Sequence, residues 1–333
     1  MIKALKPLGG LYGRVMSARN AMYDRGSFRA HSLGARTISV GNITTGGTGK
    51  TPVVALVAEL LAAAGERPCI LTRGYGRRDA GKRVLVSDGS QVLVDAATGG
   101  DEPVELAHNL LHKAAVVADP DRVAAAAWAL KELSATAFVL DDAFQHRRAV
   151  RDVDIVCMDA TDPFGGETLL PAGRLREPLE GLKRANAVII TRSDLADTSE
   201  TKKRVRELAP LAKVFTARNR IANFTRLDGL DAARPLNAFA FCGLGNPGQF
   251  ERQLVSEGLD VKGIRAFRDH HRYRQSDINE IEMAATEAEC LVTTGKDAVK
   301  LDGMQFSMPC LVARAEIEID DSESFRRLIT ASS

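Results

Sequence analysis

The chain has no pair of cysteines placed to cooperate: Cys69, Cys157, Cys242, Cys290 and Cys310 are scattered, odd in number, and form no C-x-x-C. That argues against a disulfide framework and reads as reduced core thiols of a cytosolic protein. No apolar run approaches the roughly 20 residues that a membrane-crossing helix needs, and the N-terminus lacks the unbroken apolar stretch of a signal peptide. The expectation is a chain that neither spans a membrane nor is exported. One-sided charge is missing too. The net charge of +2 speaks against a strongly polyanionic partner such as bulk nucleic acid. There is no internal repeat and no low-complexity tract. What is present is a large core-forming content, 45% hydrophobic and 26% charged residues in 333, which excludes disorder as the main state and suits two ordinary domains.

Short apolar segments alternate with helix-like ones. Strands are expected at Thr37 to Val40, Cys69 to Thr72, Ala115 to Ala118, Ala137 to Leu140, Ile155 to Met158 and Ala187 to Thr191. Helices are expected at Pro52 to Ala64 and Arg122 to Leu133. This is the rhythm of a parallel sheet with covering helices. Near Ile221 to Pro235 the text turns polar and irregular, and a fresh strand starts at Ala238 to Cys242. A helix at Glu280 to Glu289, a strand at Cys290 to Thr294 and apolar Cys310 to Val312 follow. The expected division is an N-terminal basic amphipathic helix (1–30), a nucleotide-binding α/β domain (31–230) and a smaller C-terminal α/β domain (231–333).

The segment "SVGNITTGGTGKTP", Ser39 to Pro52, nearly spells a phosphate-binding loop. The usual G-x-x-x-x-G-K-[ST] would put glycine where Thr44 stands; the glycines sit instead at Gly46 and Gly47. Between a strand and a helix, Gly46, Gly47, Thr48, Gly49, Lys50 and Thr51 would wrap backbone N–H groups around a phosphate at a helix N-terminus. Lys50 would reach the β- and γ-phosphates, and the Thr51 hydroxyl would ligate magnesium. In "FVLDDAFQH", Asp141 and Asp142 follow four apolar residues, as a metal-holding acid pair at a strand end would, although such a pair also caps helices.

"GGDEP" sets Asp101 and Glu102 before a helix, either as N-caps or with a general base among them. "RDHHRY" places Asp269, His270 and His271 in the second domain. A histidine from one domain meeting a carboxylate of the other across a cleft would tune that base. In the loops "TRGYGR" and "LLPAGRLREP", Arg73, Arg77, Arg174 and Arg176, together with Arg122, could clamp phosphates bidentately.

Among the first thirty residues, Leu5, Leu8, Leu11, Tyr12, Val15, Met16 and Met22 recur at helical spacing beside Lys3, Lys6, Arg14, Arg19 and Arg25. Two readings are open: a helix packed on its own domain, or one lying in an anionic membrane surface. Pro7, Gly9, Gly10 and Gly13 put the start of regular helix near Leu11.

Taken together, "GNITTGGTGKTP", "RGYGR", "GDEP", "LDDAFQHRRAVRDVDIV", "LLPAGRLREP", "FCGLGNPGQF", "DHHRY" and "TTGKDAVKL" resemble the tetraacyldisaccharide 4'-kinases, the lipid A 4'-kinases of Gram-negative bacteria, in order and over nearly the whole chain. The resemblance implies a P-loop NTPase-like parallel sheet with helices on both faces. It implies transfer of the γ-phosphate of ATP, with Mg2+, to the 4'-hydroxyl of a tetraacylated glucosamine disaccharide 1-phosphate, giving lipid IVA. It also implies a shifted-glycine loop, so that Thr44 is a variant of the site and not its loss.

Carried over, Lys50 and Thr51 hold phosphates and magnesium; Asp141, Asp142 and Glu177 join Thr51 near the metal; Asp101 is the catalytic aspartate and His270 its partner. Tyr75, Arg77, Arg122, Gln145, Arg174 and Arg176 would contact the substrate. The implied setting is the cytoplasmic face of the inner membrane, peripherally bound, with no obligate protein partner. Three positions depart from the family pattern: Ala143 for glycine, Arg174 for proline and Gly295 for glutamate.

Two other classes compete. "TRSD", Thr191 to Asp194, sits where a P-loop GTPase reads guanine, with Arg192 in place of lysine. A membrane-surface switch ATPase is the other, and Thr45, where that branch carries an extra lysine, counts against it.

Overall fold

The computed structural model describes residues 2–331, with side chains from Leu5 onward. In chain order the elements are α1 (Ile2–Asp24), β1 (Arg36–Gly41), α2 (Lys50–Ala63), β2 (Pro68–Thr72), β3 (Val84–Ser87), α3 (Ala96–Gly99), α4 (Asp101–Asn109), β4 (Ala115–Ala118), α5 (Arg122–Glu132), β5 (Ala137–Asp141), β6 (Val153–Asp159) and β7 (Ala187–Thr191). There follow α6 (Ser199–Leu208), β8 (Lys213–Arg226), β9 (Asp231–Ala232), β10 (Asn237–Cys242), α7 (Pro247–Ser256), β11 (Asp260–Ala266), α8 (Gln275–Ala284), β12 (Leu291–Thr294), α9 (Gly295–Ala298), β13 (Cys310–Ile319) and α10 (Ser322–Thr330).

The strands form one continuous path, β11-β10-β12-β13-β8-β7-β6-β1-β5-β2-β4-β3, with β9 alongside β8. From β8 to β4 the neighbours run parallel. The edge strand β3 is antiparallel to β4, and β8 is antiparallel to β13. Strands β2, β4, β5, β6 and β7 are buried along their whole length. That is why their sequences read as unbroken apolar runs rather than alternating ones.

β8 joins two lobes. Its first residues, Lys213 to Thr216, pair with β7, and Ala217 onward pair with β13. The lobes are therefore joined by one continuous strand rather than by an unstructured linker. Beyond it β10, β11, β12 and β13 form a second parallel sheet with its own core of Phe239, Phe241, Ile278, Ile281 and Leu291. The chain then returns: Ile317, Ile319, Phe325 and Ile329 lie in the same core cluster as Val53, Val57 and Leu61 of α2. The last turn of the sequence, expected in the smaller domain, thus packs in the larger lobe.

α2 follows the Gly-rich loop and buries Val53, Val54, Val57, Ala58 and Leu61. Four large aliphatic side chains at about 1.5–3 kcal/mol each anchor the loop's helix to the sheet. α5 covers the other face through Ala125, Ala126 and Ala129.

α1 is helical from Ile2, not from Leu11. The glycines that weaken its propensity are the residues that let it dock. A Cβ added at Gly13 would lie 2.5 Å from Leu169 Cδ1, and one at Gly9 3.1 Å from the Leu169 carbonyl oxygen. The opposite flank leaves Leu8, Leu11, Val15 and Met22 exposed by 43–59%, at i, i+3, i+7 and i+14 spacing, which is one stripe. No helix among the described residues is long and apolar enough to cross a membrane.

Candidate active site

The loop after central β1 answers the question of the missing glycine. Thr44 is buried and forms an antiparallel bridge with Leu175; the Arg176 N–H donates to the Ile43 carbonyl at 2.8 Å, and the Thr45 N–H to the Arg174 carbonyl at 2.7 Å. The first half of the loop is therefore extended against the segment Arg174 to Arg176, a conformation that threonine favours. Left-handed backbone is needed further on, at Gly46 (φ 111°) and Gly49 (φ 70°), where glycine stands. The Thr191 hydroxyl, at the end of β7, donates to the Thr48 carbonyl at 2.9 Å, and Asn42 Nδ2 donates to the buried Thr48 Oγ1 at 3.0 Å. Lys50 and Thr51 open α2, so the loop N–H groups and the helix N-terminus converge as an anion site requires.

β5 runs beside β1 and delivers the acid pair to the loop. Asp142 caps no helix; it has φ 49°, lies 3.5 Å from Lys50 Nζ, and accepts at both oxygens from Arg176 Nη1 at 2.8 Å. Burial opposes its ionisation, but Lys50 and Arg176 outweigh that and hold it below the usual carboxylate range. Asp141 is the reverse case. Burial, then the charges of Glu102 and Asp142, push it up to about 6. Its carboxylate accepts one hydrogen bond, from Thr72 Oγ1 at 2.9 Å, and no ion pair reaches it among the described residues. A buried, under-neutralised carboxylate beside two other acids is a place where a divalent cation would supply the missing charge.

Glu177 does not join them. It is wholly buried, and both its oxygens are taken by Arg184 (2.9 and 3.0 Å), Gln145 (2.9 Å) and Asn20 of α1 (3.0 Å). No group of three or more potential metal-ligating His, Cys, Asp or Glu side chains is present among the described residues. A magnesium ion here would thus rest on one or two carboxylates, the Thr51 hydroxyl, water and phosphate, which is how Mg2+ is commonly held.

Asp101 is the first residue of α4, preceded by Gly100 as N-cap, so its side chain is not spent on capping. It meets the smaller lobe. His270, in left-handed conformation (φ 59°), donates from Nδ1 to Asp101 Oδ2 at 3.0 Å across 169 residues of sequence. His271 turns inward, pairing with Asp277 at 3.0 Å and stacking on Phe267 at 4.5 Å. The geometry therefore separates two neighbours that sequence spacing could not.

The arginines divide. Arg176 reaches Asp142, as described. Arg77 and Arg122 are buried and donate to backbone carbonyls: Arg77 to Ala118 and Ala80, Arg122 to Asp119 and Asp141. Arg174 braces the loop through the Thr45 carbonyl and pairs with Asp162 at 2.6 Å. Gln145 bridges the Asn42 carbonyl and Glu177. Tyr75 is 77% exposed, its ring 5.9 Å from that of His270.

Sequence reading missed the side chains behind this surface. Arg184 and Asn20 hold Glu177, and Asp297, Lys300 and Thr294 back the His270 side of the cleft. The i, i+3 spacing of Asp297 and Lys300 is the signal that could have found the last pair. Gly295, the departure from glutamate, also has an explanation. Its absent Cβ would lie 2.8 Å from Glu105 Oε1, so Glu105 of α4 occupies the space that a side chain there would need. Burial and then Glu102 push Glu105 up to about 7.

The family model for tetraacyldisaccharide-1-P 4'-kinase matches residues 1–333. The chain belongs to this family. It is 42% identical over 318 residues to the tetraacyldisaccharide 4'-kinase of Anaeromyxobacter sp. (strain Fw109-5), covering 91% of this chain and 84% of the relative. It is 36% identical over 331 residues to that of Desulfotalea psychrophila, covering 97% and 94%. Among solved structures, LpxK from Aquifex aeolicus in complex with ATP superposes with a TM-score of 0.82 at 33% identity, covering 98% of each chain. The P-loop-type parallel sheet expected from the sequence is the fold observed.

Proposed function

We propose that this member of the family transfers the γ-phosphate of ATP to the 4'-hydroxyl of tetraacyldisaccharide 1-phosphate, forming lipid IVA. The observation that carries the reading is the meeting of Asp101 and His270 across the lobes, beside a complete phosphate-binding loop. A hydrolytic switch has no need of a carboxylate–histidine pair built from two lobes, whereas an alcohol acceptor needs a base.

In this reading the loop N–H groups from Gly46 to Thr51 hold the β- and γ-phosphates, with Lys50 neutralising charge on the transferred group. Asp141, Asp142 and the Thr51 hydroxyl would hold magnesium, which would supply electrostatic stabilisation of the phosphates when bound. Asp101 accepts the proton of the 4'-hydroxyl as its oxygen bonds to the γ-phosphorus and the bond to the β-phosphate oxygen breaks, releasing ADP. His270 orients that carboxylate. Arg176 exchanges between Asp142 and an incoming phosphate, and exposed Tyr75 meets the sugar. Arg77, Arg122, Arg174 and Gln145 shape the loops that bear these groups.

α1 supports a peripheral position on the cytoplasmic face of the inner membrane. Its exposed stripe of Leu8, Leu11, Val15 and Met22 would lie among acyl chains, while Tyr12 donates to the Arg176 carbonyl at 2.7 Å and Asn20 to Glu177. The surface that meets a lipid is thus hydrogen-bonded to the segment that reaches the acid pair. The test is the mass of the lipid product after incubation with ATP in detergent. Wild type should add one phosphate at the 4' position and Lys50→Ala should not; ATP hydrolysis with unmodified lipid would reject the proposal.

A further inference from the structure

We infer that Lys300 is a positioning residue for the Asp101 carboxylate, an inference that rests on the reading of Asp101 as proton acceptor. Lys300 follows α9 in the smaller lobe, and its side chain is only 6% exposed. The ammonium lies 2.7 Å from Asp297 Oδ1 and 3.8 Å from Asp101 Oδ2, with the Tyr273 ring centroid at 5.5 Å. Asp297 is itself fully buried and fixed, because its Oδ2 accepts from the Gly243 N–H at 2.9 Å and from Thr294 Oγ1 at 2.8 Å. The Gly243 N–H therefore helps fix Asp297, and Asp297 pairs with the Lys300 ammonium, which faces the other lobe.

Two consequences follow from the geometry. His270 and Lys300 both approach the same oxygen, Oδ2. That leaves Oδ1 to face the acceptor hydroxyl. The second concerns charge. Asp101 is faced from the smaller lobe by His270, Lys300 and Lys296, and from its own helix by Glu102. Lys296 is engaged by Asp269 at 2.7 Å and His270 is part-exposed, so Lys300 is the buried cation among them. A buried ammonium in the smaller lobe, facing the carboxylate of the larger one, disfavours a cleft in which the lobes are misaligned.

The experiment measures kcat and KM for lipid phosphorylation, with ATP affinity and thermal unfolding, for Lys300→Arg, Lys300→Gln and the double variant Asp297→Asn/Lys300→Met. The double variant removes both members of the buried pair and so avoids stranding Asp297. We expect the neutral variants to bind ATP as wild type does, to keep the wild-type KM for lipid, and to lose about tenfold in kcat. Lys300→Arg should keep the wild-type kcat.

A folded neutral variant with the wild-type kcat would overturn the inference. So would failure of both neutral variants to fold while Lys300→Arg folds, since Lys300 would then serve stability alone. Asp101→Asn, assayed alongside, separates the two levels. If it keeps wild-type activity, the base reading fails; if it is inactive while the neutral Lys300 variants match wild type, only the role of Lys300 fails.

Discussion

Replacing Asp141 by asparagine should make the nucleotide-free protein more stable and the enzyme far slower. The carboxyl is buried, accepts one hydrogen bond, and is pressed by Glu102 and Asp142. Its folded pKa of about 6 stands above the ordinary 3.8, so its protonated form is the one the fold prefers. The stability linked to that proton is complete below about pH 4 and is lost as pH rises through 6. At pH 8 the ionised side chain therefore costs the fold up to about 3 kcal/mol, from a displacement of roughly two units at 1.36 kcal/mol each. Asparagine keeps the Thr72 hydrogen bond and carries no charge. Thermal unfolding in chelator at pH 8 should then show Tm raised by about 4 °C, given the unfolding entropy of a chain this long. The two proteins should converge near pH 4, while kcat falls by about 100-fold or more for want of a charge beside the phosphates. A variant that melts below wild type at pH 8, or a gap that persists on acidification, would refute the argument.

Other substitutions test other parts. Arg184→Leu leaves the buried Glu177 without its cation, and chemical denaturation should show a loss of about 3–5 kcal/mol. Gly13→Leu places atoms where Leu169 Cδ1 already sits; α1 should undock, with stability down by about 1–3 kcal/mol and vesicle binding altered. His270→Ala should cut kcat by about 10- to 100-fold without changing Tm. His271→Ala should lower Tm through the lost Phe267 stack and Asp277 pair while leaving kcat near wild type.

The sheet was legible where burial on both faces makes strands read as apolar runs, as at Ala115–Ala118 and Ala187–Thr191. It was not legible at β8, whose Lys213–Arg226 mixes exposed and buried positions and pairs with two different neighbours, so its polar text resembled a linker. The exposed edge strand β11 was missed for the same reason. α8 starts at Gln275 and ends at Ala284, earlier than the expected Glu280 to Glu289, because Asp277 caps the Arg274 N–H at 2.9 Å. In α1 helix propensity misled, since Gly9 and Gly13 serve a tertiary contact.

At the site, local signals were visible: loop glycines after a strand, and acids at a strand end. What no local pattern carries is who meets whom. Arg77, Arg122 and Arg174 looked like phosphate clamps but donate to backbone carbonyls: Arg77 to Ala118 and Ala80, Arg122 to Asp119 and Asp141, and Arg174 to Thr45. Glu177 looked like a metal ligand but is saturated by Arg184, Gln145 and Asn20.

The most direct measurement is transfer of label from γ-labelled ATP to tetraacyldisaccharide 1-phosphate by wild type and Asp101→Asn, with ATP affinity measured for both. The account predicts a labelled lipid with wild type, and a variant that binds ATP equally well but transfers about 100-fold more slowly or worse. Labelling by Asp101→Asn at the wild-type rate, or ATP hydrolysis by wild type with no label in the lipid, would contradict it.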